Sequence, residues 1–185
     1  MELDGGMLPI RVDFRAGWSR YVAPNEVGDE LMLAYRASVS TRFARLYAER
    51  RRPSPQEVSD NAVPDLRTML CVLLETDTWD QFSATSSAMN VGSNHEVGGR
   101  SIAADRPALT VWADRRYIRS IGVQSGWAAA AHPEQITDEI LWCAEVIRSQ
   151  RPIFHPQRDY SRYSVEDLQF QLDRHRLRLL EEWVA

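Results

Sequence analysis

Two periodicities meet in the stretch Leu109 to Arg151, and they restrict the fold more than any other feature. Leu109-Thr110-Val111-Trp112 alternates apolar positions with others. Ala113-Asp114-Arg115-Arg116 reads as a polar turn, and Tyr117, Arg119, Ile121 and Val123 mark a return strand. A period of two sends successive side chains to opposite faces, so Ile121 and Val123 share one face and one side of the hairpin is buried. Gly126-Trp127 closes the hairpin. His132-Pro133-Glu134-Gln135 then opens a helix, with Pro133 suited to a first helical position because it has no N–H to lose there. Ile136, Ile140, Cys143 and Ile147 follow at helical spacing as one apolar stripe. The pattern predicts a hairpin with a helix packed back on its sheet.

The start of the chain carries a similar order. Asp4-Gly5-Gly6 is a turn signal, and Ile10, Val12 and Phe14 alternate with Arg11, Asp13 and Arg15 as a half-buried strand. Pro24 starts a helix with the stripe Val27, Leu31, Ala34 and Ser38, continuing through Val39 and Leu46. The helix is expected to reach Arg52 and stop before Pro53, because the residue before proline disfavours the helical conformation. Arg50-Arg51-Arg52 suits a helix C-terminus, where positive charge is favourable by about 0.3–1 kcal/mol.

Shifting the sequence by 109 residues aligns the two segments without a gap. Gly17-Trp18 falls on Gly126-Trp127, Pro24 on Pro133, and Asp29-Glu30 on Asp138-Glu139. Val12 and Phe14 fall on Ile121 and Val123, and Val27 and Leu31 on Ile136 and Ile140. A strand-plus-helix unit cannot bury its own apolar face, so two copies are expected to pack on each other.

Residues 53–107 separate the copies. Ser54 to Asn61 reads as a polar linker, and Leu66 to Leu74 as a short helix or a buried strand. Trp79 to Thr85 suits a strand, Ser86 to Gly99 a mobile loop, and Ile102 an edge strand. After the second helix, Pro152 to Arg162 is extended. Ser164-Val165-Glu166-Asp167 then resembles a capping box. Val165, Leu168, Leu172, His175 and Leu179 line one face of a terminal helix, extended by Trp183. The expected organisation is therefore 1–52, first strand–helix unit; 53–107, linker and connecting elements; 108–151, second hairpin–helix unit; and 152–185, extended segment and amphipathic helix. The fold class is α+β: an antiparallel sheet with helices on one face.

The hairpin and helix of Leu109 to Arg151 resemble the second half of the YbaB/EbfC-type nucleoid-associated fold. They are most similar to the mycobacterial type VII (ESX) secretion-associated proteins of that group. The matching residues are Thr110-Val111, Ile121-Gly122-Val123 and Gln135-Ile136-Thr137-Asp138-Glu139-Ile140-Leu141. The similarity covers the C-terminal part of the chain, and the N-terminal segment matches the same half-domain less well. The chain departs from the simple family pattern in lacking a long helix before its first hairpin and in holding two half-domains. The resemblance implies a non-enzymatic, chaperone-like adaptor for type VII secretion, or a secreted substrate, with a protein partner. It also implies a dimer, formed between chains or between the two internal copies. Tyr163 and Asp167 match the Y-x-x-x-[DE] element of type VII signals, but the companion W-x-G is missing.

Chemistry-bearing patterns are sparse. His95, His132, His155 and His175 stand in no close metal spacing, and no Cys-x-x-Cys occurs, so no metal and no cofactor are expected. Cys71 and Cys143 lie in apolar runs and read as buried reduced thiols. Gly98-Gly99-Arg100-Ser101 suits an anion cradle, though such a pair more often makes a turn. Asp29-Glu30 and Asp138-Glu139 read as first-turn acids stabilised by the helix dipole. No catalytic residue is assigned.

Trp18, Trp112 and Trp127 are candidate partner-facing anchors or core residues, and Leu172, Leu179 and Trp183 are candidates on a terminal helix that docks on the body or a second subunit. The alternative is a nucleoid-associated DNA-binding protein using Arg115, Arg116 and Arg119, with Arg115 and Arg116 exposed at the hairpin tip. A net charge of −4 weighs against it. All 22 basic residues are arginine, which reads as GC-rich genome composition. An immunity-type or regulatory binder is a third option. No 20-residue apolar run and no signal-peptide-like start are read in the sequence, so the expected location is cytoplasmic, with secretion through type VII as the alternative.

Overall fold

The hairpin that opens the chain is set by Asp4. Its carboxylate accepts the Leu8 N–H at 2.8 Å, and its own N–H donates to the Leu8 carbonyl at 2.9 Å. This turn joins β1 (Glu2–Leu3) to β2 (Pro9–Arg11), which pair antiparallel. The computed structural model describes residues 1–49, 64–90 and 94–184. Within them the chain is α+β, divided into two compact units. One takes the described residues of Met1–Asp60 and Ser93–Arg151, the other those of Asn61–Gly92 and Pro152–Ala185. This differs from the division expected from sequence: residues 53–107 are not one connecting segment. Their helices go with the terminal helix, and their strands go with the sheet.

In the first unit, α1 (Val27–Glu49) is followed by β3 (His95–Gly98), a small hairpin of β4 (Ile102–Ala103) and β5 (Arg106–Pro107), then β6 (Leu109–Ala113) and β7 (Ile118–Val123). The short α4 (Ser125–Ala128) and α5 (Pro133–Gln150) complete it. The sheet order is β3-β6-β7, antiparallel throughout. Leu109, Val111 and Ala113 alternate inward with Val97 of β3. Ile136, Ile140, Cys143 and Ile147 of α5 and Val27, Leu31 and Tyr35 of α1 cover that face. Fully burying a side chain of leucine or isoleucine size contributes roughly 1.5–3 kcal/mol, so this face is a major source of the unit's stability.

Several expectations are corrected. On β7, Trp112 faces Ser120 but Ala113 faces Ile118, so Arg119 is an extra residue. The bulge shifts the phase, and Ile118 joins Ile121 inside. The first strand ends at Arg11. Val12 and Phe14 pack half-buried on the core without strand pairing. On α1 the buried stripe is Val27, Gly28, Leu31, Met32 and Tyr35, and Ala34 is exposed. The side chain of Leu46, Arg50-Arg51-Arg52 with the helix stop before Pro53, and the linker Ser54 to Asn61 lie outside the described residues.

In the second unit, Asp65 caps α2 (Leu66–Leu74) by accepting the Thr68 N–H at 2.8 Å. Trp79 to Thr85 is not a strand but the start of α3 (Trp79–Asn90). Trp79, Phe82 and Met89 recur at helical spacing, and the Thr78 hydroxyl accepts the Gln81 N–H at 3.2 Å as a cap. The expected loop Ser86 to Gly99 instead holds the end of α3 and β3, with residues 91–93 outside the described set. Ser164 and Asp167 exchange hydrogen bonds of 3.0 and 3.1 Å, as a capping box requires, and open α6 (Val165–Val184). Leu168 and Leu179 of α6 are buried against α2 and α3. Glu75 accepts the N–H groups of Gln157 and Arg158 at 2.8 and 2.7 Å, which fixes the extended segment before α6. Both cysteines are buried and unpaired with each other. Among the described residues no helix is long and apolar enough to cross a membrane.

Candidate docking face on the sheet

Among the described residues no helix of the first unit covers the outer side of β3-β6-β7. Alternation sends Glu96, Thr110, Trp112 and Gly122 to that side. They line an open groove of about 920 Å³, walled by Arg106 and Pro107 of the small hairpin. Trp112 lies flat enough over Gly122 that a Cβ there would meet its ring at 2.9 Å, so the glycine lets the indole rest on the strand. Trp112 remains 37% exposed. Pro107 covers Gly98 in the same way.

The wall is held by one side chain. The Gln124 amide donates to the carbonyls of Ala103 at 2.8 Å, Pro107 at 2.9 Å and Arg106 at 3.3 Å. The tip of this hairpin, Ala104-Asp105, has φ of 48° and 60°, a left-handed pair unusual for residues with a Cβ. The groove therefore has a fixed floor of strand, an aromatic plate and a braced polar wall.

Glu139 is the site residue that sequence reasoning misplaced. It is not a first-turn acid of α5 but is buried one turn further on. Its carboxylate accepts the Arg100 N–H at 2.5 Å, the Ser101 N–H at 3.1 Å and the Ser101 hydroxyl at 2.8 Å. The Gly98–Ser101 segment is thus an anion cradle, and the anion is the protein's own. Gly99 is required because a Cβ would fall on that carboxylate. Beside it, Arg100 stacks over the exposed Trp142 at 5.1 Å, a cation–π contact.

The hairpin tip does not present two arginines to solvent. Arg115 is only 5% exposed, and burial lowers its pKa. Arg119 is exposed and ion-paired with Asp114. Asp114 accepts the N–H groups of Arg116 at 2.7 Å and Tyr117 at 2.6 Å. Burial opposes its charged form, yet those two N–H groups and Arg119 outweigh burial and hold the carboxyl below its usual range. The tip is closed because Asp114 folds the backbone over itself.

The remaining candidates divide by unit. Trp18 packs against Phe14 with the rings tilted at 55° and their centroids 5.0 Å apart, and it sits half-buried on the first core, as does Trp127. Leu179 is fully buried in the second unit's core and is not available to a partner, and Leu172 packs half-buried against the same core. Trp183 is exposed near the end of α6. His132 caps α5, its N–H donating to Gln135 at 2.8 Å. His95 Nδ1 lies 3.0 Å from Gln150 Oε1. His175 lies 3.4 Å from the Thr76 hydroxyl, and burial, with Arg178 beside it, lowers its pKa. Among the described residues no group of three metal-binding side chains converges. Trp142, Gln124 and Glu96 escaped the sequence reading, for none stands in a pattern that separates it from an ordinary helix or strand residue. No protein-family model, no curated protein and no solved structure matches the chain.

Proposed function

We propose that this chain is a non-enzymatic protein-binding adaptor, chaperone-like in use, that takes a partner segment on the outer face of its three-stranded sheet. The observation that carries this reading is Trp112, a large aromatic held at 37% exposure over Gly122 inside a braced groove. Tryptophan in a preformed pocket supplies binding area at little cost in conformational freedom. The exposed Glu96 and Arg106 side chains supply directional contacts to a peptide. The partner class follows from the resemblance of the hairpin–helix stretch: a substrate or component of type VII secretion. The nucleoid alternative loses support from the burial of Arg115 and the pairing of Arg119 with Asp114.

The test is affinity capture of type VII secretion proteins from lysate of the source organism by the wild-type chain and by Trp112→Ala. Retention by the wild type that falls at least about tenfold in the variant, with unchanged circular dichroism, supports the docking face. Equal retention by both removes it.

A further inference from the structure

The terminal helix α6 is amphipathic twice over. Leu168, Leu172 and Leu179 face the core of its unit. On the opposite side, Phe170, Leu177 and Val184 are 64%, 61% and 75% exposed. They recur every seven residues, and at 100° per residue they stay within a narrow stripe centred half a turn away from the buried leucines. A solvated helix face has no reason to keep a large apolar side chain at each of three consecutive heptad positions.

The charges flanking the stripe say what covers it. Arg174 and Glu181 lie on the same flank, three residues before and four residues after Leu177. Both are exposed. In an antiparallel pair of identical helices related by a two-fold axis at Leu177, residues at equal distance before and after 177 come level, and the same flank of both helices lies on the same side of the seam. Leu177 then meets its own copy, Phe170 meets Val184, and Arg174 comes within one residue's rise of Glu181, twice by symmetry. The helix dipoles are also opposed in this arrangement, which is favourable.

We infer that α6 carries a self-complementary interface on which a second copy of this chain docks antiparallel, with Leu177 at the two-fold axis and Arg174 of each chain against Glu181 of the other. The interface uses residues of α6 and none that line the sheet groove, so it stands or falls independently of the adaptor reading. It gives a dimer with two sheet grooves.

The experiment is sedimentation equilibrium with light scattering on the full chain up to about 100 μM, where a dimer of micromolar affinity is fully formed. The wild type is expected to dimerise and Leu177→Asp to be monomeric with unchanged circular dichroism. Arg174→Glu and Glu181→Arg alone are each expected to raise the dimer dissociation constant about tenfold, since two exposed pairs become two like-charge contacts. The double reversal is expected to restore it. A monomeric wild type overturns the inference. So does a dimer that survives Leu177→Asp, or single charge reversals that the double variant does not rescue.

Discussion

Gly28 of α1 lies so close to Ile121 of β7 that a Cβ at position 28 would overlap the Ile121 carbonyl oxygen. The helix backbone itself touches the strand, and that contact sets the spacing between α1 and the sheet. Gly28→Ala is therefore expected to destabilise the first unit, although alanine is the better helix former. Helix propensity favours alanine by about 1 kcal/mol, while forced separation of packed elements costs roughly 1–3 kcal/mol. Urea denaturation followed by Trp fluorescence measures the net loss. An increase in stability would mean that α1 does not approach β7 this closely.

Glu139 binds three donors of the Arg100-Ser101 loop from the interior side of α5. Removing the acceptor leaves partly buried N–H groups unpaired, each at up to about 1–3 kcal/mol. Glu139→Ala is expected to cost about 3 kcal/mol or more, and Glu139→Gln less, because the amide keeps one acceptor oxygen. Gly99→Ala is expected to behave like Glu139→Ala, since its methyl group displaces the same carboxylate. The midpoint of urea unfolding reads all three. A Glu139→Ala midpoint within error of wild type would contradict the buried cradle.

The contrast between these residues shows what the sequence made legible. The Leu109–Val123 hairpin, the α5 stripe and the Ser164–Asp167 capping box were visible because each rests on local periodicity or on a short-range hydrogen bond. The helix at Trp79 was misread because its apolar residues are few and a strand tolerates the same residue types; the Thr78 cap was the overlooked signal. Arg115, Glu139 and Tyr35 were illegible for a different reason. Their partners are distant in sequence, and a polar side chain carries no local mark of being buried. The bulge at Arg119 likewise follows from packing of Ile118 rather than from any turn residue.

Tyr35 joins three elements through one hydroxyl. It donates to the Met7 carbonyl at 3.1 Å and accepts the Ile118 N–H at 3.0 Å. Burial pushes its pKa from 10.0 up to about 12. The unfolded chain then loses this proton at lower pH than the folded chain, so the Tyr35 contribution to stability is unchanged below pH 10 and is lost as pH rises towards 12. The loss is on the order of 2–3 kcal/mol when complete. Cys143 adds to the same trend from about pH 9, because burial raises its thiol to about 12 as well. Tyr35→Phe is expected to lower stability by about 1–3 kcal/mol at neutral pH by leaving the Ile118 N–H unpaired. It should also remove the Tyr35 share of the alkaline loss, leaving that of Cys143. Denaturation curves at pH 7, 9 and 11 for both proteins separate the two effects. An alkaline slope unchanged by the substitution would place the hydroxyl in water.

Arg115 and Arg119 separate a structural role from a nucleic-acid role at the hairpin tip. Arg115 is buried, and its aliphatic stem and guanidinium are part of the packed interior. Arg115→Ala is expected to lower stability by about 2 kcal/mol or more, as loss of a buried long side chain does. A drop in DNA retention for that variant would report unfolding rather than a lost phosphate contact. Arg119 is exposed and, among the described residues, pairs across the turn with Asp114, so Arg119→Ala is expected to cost less than about 1 kcal/mol. The informative DNA test is therefore Arg116→Ala with Arg119→Ala at low salt. If the tip holds phosphates, this folded double variant loses affinity and its salt dependence becomes shallower by about one unit per lost contact. The expected outcome is duplex binding that is negligible in the wild type and unchanged in the variant, because the one deeply placed arginine of the tip faces inward and the most exposed one is already neutralised by Asp114.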